Sequence, residues 1–109
     1  MKNINSLSES QQIIEVSKNG YSIQHITNPS EKVQIAAVSR NDEAIDIITD
    51  PSENVQLAAV NANGESLDLI MDPSEKVKIA AVSQNGLAIV LITNPSKEVQ
   101  IAAYKYFNK

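Results

Sequence analysis

The sequence contains no cysteine and no tryptophan, which excludes disulfide staples and thiolate chemistry. It has a single histidine, His25, too few for an all-protein transition-metal site. Aromatic residues make up 4 per cent of the 109 residues and hydrophobic residues 42 per cent, so the core is expected to be aliphatic. No apolar run approaches the roughly 20 residues that a membrane-spanning helix needs. The opening segment MKNINSLSES has no apolar stretch of the signal-peptide kind. The expectation is a soluble, cytoplasmic protein without membrane contact. The three glycines form no G-x-G cluster, so no phosphate-cradling loop is predicted, and Asp-x-Asp calcium spacing is also missing. Net charge is −4, with no basic stripe of the kind a nucleic-acid backbone requires. No cofactor is expected.

What is present is one stretch repeated. DPSEKVKIAAVSQNGLAIVLIT fills Asp72 to Thr93, DPSENVQLAAVNANGESLDLIM fills Asp50 to Met71, and NPSEKVQIAAVSRNDEAIDIIT fills Asn28 to Thr49. A worn copy covers Ser6 to Thr27 and a truncated one Asn94 to Lys109. A period of 22 residues signals a solenoid. The reading is an all-α, right-handed α-solenoid of helix-turn-helix repeats. A flexible N-terminus (1–5) precedes one domain (6–109) of four full repeats (6–27, 28–49, 50–71, 72–93) and a C-terminal helix (94–109).

Within each repeat, numbered from the residue before proline, the punctuation is regular. Position 1 (Ser6, Asn28, Asp50, Asp72, Asn94) is predicted to be the helix N-cap, and the proline of position 2 the first helical residue. An acid at position 4 (Glu9, Glu31, Glu53, Glu75) favours the N-terminal end of the helix dipole. Val, Ile or Leu, Ala-Ala and Val follow at positions 6, 8, 9–10 and 11. That arc is wider than one face, as expected of a helix covered by neighbours on two sides. Asn-Gly at positions 14–15 (Asn19-Gly20, Asn63-Gly64, Asn85-Gly86, with Asn41-Asp42 as the variant) reads as a left-handed C-cap. A second, short helix is predicted from the i, i+3 spacing of Ile23/Ile26, Ile45/Ile48, Leu67/Ile70 and Ile89/Ile92, with position 20 widening its apolar edge. Tyr104, Tyr106 and Phe107 in the last copy are expected to cover the open end of the stack.

The pattern D/N-P-x-x-x-V-x-x-A-A-V-x-x-N followed by a short helix resembles the leucine-rich repeat variant family. Its A-V-x-x-N-G segment (Ala81, Val82, Asn85, Gly86) also looks like helical repeats of bacterial and phage proteins, and HEAT repeats are a more distant likeness. The resemblance spans residues 6–109 and implies a curved helical solenoid. Its motif specifies packing and capping. The metal cluster of the leucine-rich variant lies in a cysteine-bearing segment that has no counterpart here, and no functional residue carries over.

Individuality therefore lies in the columns that change between copies. Position 16 reads Tyr21, Glu43, Glu65, Leu87, and position 19 reads Gln24, Asp46, Asp68, Val90. Stacked in register, they form a strip that is polar-aromatic at one end, acidic in the middle and apolar at the other. A solvated face accounts for charges alone; adjacent exposed Leu and Val point to a contact. Ser22 stands three residues before His25, but no third group orients such a pair for nucleophilic catalysis. Acids three apart, Glu43 with Asp46 and Glu65 with Asp68, have no cleft to separate their pKa values. The expected function is a non-enzymatic module that binds a protein partner. The alternative is a small acidic inhibitor of phage type that blocks a nucleic-acid-binding groove of its target. Homodimerisation through the C-terminal end is a further expectation.

Overall fold

The computed structural model describes residues 3–109. Five α-helices, α1 (Glu9–Lys18), α2 (Glu31–Arg40), α3 (Glu53–Ala62), α4 (Glu75–Gln84) and α5 (Lys97–Phe107), alternate with short 3-10 helices. These are η1 (Ile4–Ser6), η2 (Gly20–His25), η3 (Asp42–Ile47), η4 (Gly64–Leu69) and η5 (Gly86–Leu91). Each α-helix packs on the α-helices before and after it, and η2 to η5 pack on one another in a second row. The result is a two-layer repeat stack measuring 51 × 26 × 16 Å. No strand occurs among the described residues.

The start of each α-helix lies two residues later than the sequence reading placed it. The N-cap is serine in every repeat: the Oγ atoms of Ser30, Ser52 and Ser74 accept from the backbone N–H of Val33, Val55 and Val77 at 3.3 Å. Ser96 does the same for Val99 at 3.2 Å. Ser8 completes a capping box, since the Gln11 side chain accepts in return from the Ser8 N–H at 3.1 Å. Asn28, Asp50, Asp72 and Asn94 are instead left-handed turn residues with φ of 50–52°. Asn and Asp enter that region at least cost after glycine, which explains the residue type better than capping does. The proline that follows sits in the connection, and its carbonyl accepts from a glutamine of the helix: Pro29 from Gln34 at 2.9 Å, Pro51 from Gln56 and Pro95 from Gln100 at 3.0 Å. The acids Glu9, Glu31, Glu53 and Glu75 do fall in the first turn.

The end of each helix is also corrected. Asn19, Asn41, Asn63 and Asn85 are extended, with φ between −137° and −156°, and no glycine has positive φ. Three of these asparagines accept from the N–H two residues on (Tyr21, Glu65, Leu87) at 3.0 Å, an Asx turn that launches the 3-10 helix. Glycine is required for space: a Cβ on Gly20 would meet the Ala37 carbonyl oxygen at 2.3 Å, and one on Gly64 that of Ala81 at 2.4 Å.

The core is a ladder of Val and Ala. Positions 6, 10 and 11 are sealed in each central repeat (Val33, Ala37, Val38; Val55, Ala59, Val60; Val77, Ala81, Val82), all fully buried. Position 9 (Ala36, Ala58, Ala80, Ala102) is only half-buried. The 3-10 helices contribute Ile23, Ile45 and Leu67, with Ala44, Ser66 and Ala88 buried one residue earlier. Position 20 does not join this edge: Ile47, Leu69 and Leu91 are exposed, as is His25. Serine Oγ donors tie the repeats to one another, Ser52 to Glu31 at 2.6 Å, Ser74 to Glu53 at 2.7 Å, and Ser96 to Glu75.

The two ends carry contacts of their own. Met1 and Lys2 lie outside the described residues, and Ile4–Ser6 form η1. The Asn5 side chain donates to the His25 carbonyl at 2.9 Å and accepts from the Thr27 N–H at 2.8 Å, so it engages backbone groups at the end of η2. Gln12 donates to the Ile4 carbonyl at 3.0 Å, and Ile4 packs against the core. At the other end two of the three aromatics cover part of the last full repeat and the third does not. Tyr106 and Phe107 meet edge to face at 5.1 Å and lie against Gly86. Tyr104 stands where buried Val38, Val60 and Val82 stand in earlier repeats, and it is 68 per cent exposed.

Candidate functional site

A 3-10 helix has three residues per turn, so positions 16 and 19 lie one above the other. Each of η2 to η5 packs the two residues between them inward and presents these two. All eight side chains of the predicted strip (Tyr21, Gln24, Glu43, Asp46, Glu65, Asp68, Leu87, Val90) are exposed. Leu87 and Val90 are not covered by the C-terminal aromatics; they are 59 and 79 per cent exposed, and Leu91 beside them 40 per cent.

The structure gathers five of the eight residues into one depression. A groove of about 380 Å³ between η3 and η4 is lined by Glu43 and Asp46 on one side and Glu65 and Asp68 on the other, with Tyr21 at its edge. Asp42 and Asn63 also line it, joined by a 3.3 Å hydrogen bond in which Asn63 Nδ2 donates. Ile47 and Leu69 supply apolar walls and Ser66 the remaining surface. Gln24 faces a neighbouring groove bounded by Asn28, Pro29 and Gln34, while Leu87 and Val90 lie outside both.

The groove is unneutralised. Among the described residues one ion pair forms, Glu15 with Lys18 at 3.7 Å on α1, so no lysine or arginine pairs with the groove carboxylates. The phenol of Tyr21 stands at the edge of this groove. Its pKa is raised above the ordinary 10.0 by desolvation first, then by the charges of Glu43 and Asp42.

Several contributors were not singled out from the sequence. Asp42 was read only as a substitute for glycine, and Ile47 and Leu69 as core edge. Ser66 is 2 per cent exposed, and its Oγ has no hydrogen-bond partner. Its column alternates Ser22, Ala44, Ser66, Ala88, a signal that a small buried position here tolerates a hydroxyl. Met71, 94 per cent exposed, replaces the threonine of the other three full repeats. His25 is exposed, and its carbonyl is engaged by Asn5. No cluster of His, Asp or Glu suited to hold a metal ion occurs among the described residues, and no described helix is long and apolar enough to cross a membrane.

Residue by residue, the molecule is an all-α repeat stack with an exposed, variable strip on its row of 3-10 helices. No protein-family model matches the chain, and comparison with curated proteins and with solved structures finds no match either.

Proposed function

We propose that this chain is a cytoplasmic, non-enzymatic interaction module that offers the front of its 3-10 helices to a protein partner. The observation that carries the reading is the division of labour within each 3-10 helix. Positions 17 and 18 pack inward, whereas positions 16 and 19 stay exposed in all four full repeats and change character along the stack, from Tyr21/Gln24 through the identical pairs Glu43/Asp46 and Glu65/Asp68 to Leu87/Val90. The scaffold is thus held constant while the strip runs from polar-aromatic through acidic to apolar. A specific interface takes roughly 800 Å² from each partner, and a strip along a 51 Å axis can supply it without a closed pocket. Its apolar end, Leu87, Val90 and Leu91, provides contact area that gains by leaving water. Its acidic middle provides orientation and steering.

The test is site-specific photocrosslinking in the native cell. A crosslinker at Glu65 or Val90 should capture one and the same protein, and one at Lys32 or Lys76, on the exposed side of the α-helices, should not. Equal capture from both faces, or from neither strip position, would remove this reading.

A second reading is favoured by the grouping of unpaired carboxylates. The partner's surface is then basic, such as a nucleic-acid-binding groove, and the chain acts as its inhibitor. The two readings separate once a partner is captured. Under the second, adding the chain displaces nucleic acid from that partner, and neutralising Glu43, Asp46, Glu65 and Asp68 together abolishes the displacement.

A further inference from the structure

A buried hydroxyl without a partner is unusual, because almost every buried polar group in a folded chain is satisfied. Ser66 is such a group. Nothing about the backbone calls for serine at this position, since Ala44 and Ala88 fill the same place in the repeats on either side, buried to the same degree. The hydroxyl is therefore not a packing requirement. Ser66 lies in the wall of the groove that holds the unpaired carboxylates, with its Oγ closed off just behind that wall. Two independent features, surplus negative charge and an unsatisfied polar atom, converge on one depression.

We propose that the groove between η3 and η4 receives an arginine side chain from a basic segment of the protein partner. The groove these helices share is open between Glu43/Asp46 on η3 and Glu65/Asp68 on η4, which gives a planar guanidinium room between the two sets of carboxylates. Its five donors suit carboxylates on two sides, in a way the point charge of lysine does not. The Tyr21 ring at the groove edge offers a face for the cation. Ile47 and Leu69, 44 and 37 per cent exposed, line the same groove and suit the aliphatic stem. Ser66 Oγ, closed off in the empty groove, turns about its Cα–Cβ bond to accept from the guanidinium. The groove volume, about 380 Å³, is within the range of roughly 300–1,000 Å³ for small-ligand pockets.

This assignment rests on the protein-binding reading but can fail separately from it. The experiment titrates the whole chain with a capped tetra-arginine peptide at physiological salt, followed by backbone amide NMR. Shifts should concentrate on η3, η4 and Tyr21, and leave the amides around Glu9, Asp72 and Glu75 unmoved. A capped tetralysine peptide of equal charge should bind at least about threefold more weakly. Ser66→Ala should weaken the arginine peptide by roughly three- to tenfold, the loss of one hydrogen bond to a charged group. That variant should fold as the parent does, because alanine already occupies the position in two repeats. Shifts spread evenly over every acidic residue, equal affinity for the two peptides, or an unchanged affinity in Ser66→Ala would each overturn the proposal. Any of these would leave the crosslinking from Val90 to decide the wider reading.

Discussion

Gly64 lies so close to Ala81 of the next repeat that a Cβ at position 64 would stand 2.4 Å from the Ala81 carbonyl oxygen. The obstacle is backbone, and it belongs to the last turn of a packed helix. Gly64→Ala should therefore destabilise by about 2 kcal/mol, by forcing two repeats apart. The cost is bounded because repeat 2 carries Asp42 at the equivalent place, so the stack can adjust. Gly86 gives the contrast. A Cβ there would meet the rings of Phe107 and Tyr106 at 2.6 and 2.8 Å, side chains near the chain end that can swing aside. Gly86→Ala should cost less than about 1 kcal/mol. Urea unfolding of the two variants side by side checks the ordering; equal losses would mean that the close approach to Ala81 is not what selects glycine.

The serine caps yield a second measurement. Ser74 Oγ accepts from Val77 N–H at 3.3 Å and donates to Glu53 at 2.7 Å, so one hydroxyl both caps α4 and joins it to the repeat before. Ser74→Ala should cost about 1 kcal/mol. Were Asp72 the cap, as the Asp-Pro dipeptide first suggests, the same substitution would be nearly silent. Thermal melting of Ser74→Ala decides between the two assignments.

These two positions show what the sequence made legible and what it did not. The repeat, its two-helix content and the exposed columns follow from periodicity, because a solenoid's contacts are nearly all between neighbouring copies. The phase of the caps was misread by two residues. Asn/Asp-Pro and Ser-Glu are both sound helix starts taken locally, and only the backbone shows that Asp72 has positive φ. Glycine was assigned to a left-handed turn because its true reason, the Ala81 carbonyl, lies in the following repeat. The acidic columns were visible as columns. That they face one another across a groove, with Ser66 in its wall, depends on how adjacent 3-10 helices are set, which no single repeat encodes.

The alanine pair separates in the same manner. Ala59 is fully buried between Val55 and Val60 on the face that meets the next layers, whereas Ala58 is only half-buried. Ala59→Leu should destabilise by more than about 2 kcal/mol through overpacking, and Ala58→Leu by clearly less. The first repeat already places Ile14, 55 per cent exposed, at the position of Ala58. Differential scanning calorimetry of both variants provides the comparison, and a larger loss in Ala58→Leu would show the register of α3 to be wrong.

The groove's potential can be read through Tyr21. Its phenol is neutral below its pKa, and desolvation and the charges of Glu43 and Asp42 raise that pKa in the folded chain. The folded state therefore holds the phenol proton more tightly than the unfolded state does. Stability from this source is fully present below the ordinary value of 10.0 and is lost as pH rises through the raised value. The parent should accordingly lose stability relative to Tyr21→Phe across that alkaline window, and the two should run parallel at neutral pH. Glu43→Gln removes one of the charges, so it should lower the Tyr21 pKa toward the ordinary value and shrink the gap. Tyrosinate absorbance, taken as the difference between parent and Tyr21→Phe, follows the titration directly. An unchanged Tyr21 pKa in Glu43→Gln would mean that the acidic columns do not act on the groove edge. The electrostatic half of the arginine assignment would then lose its basis.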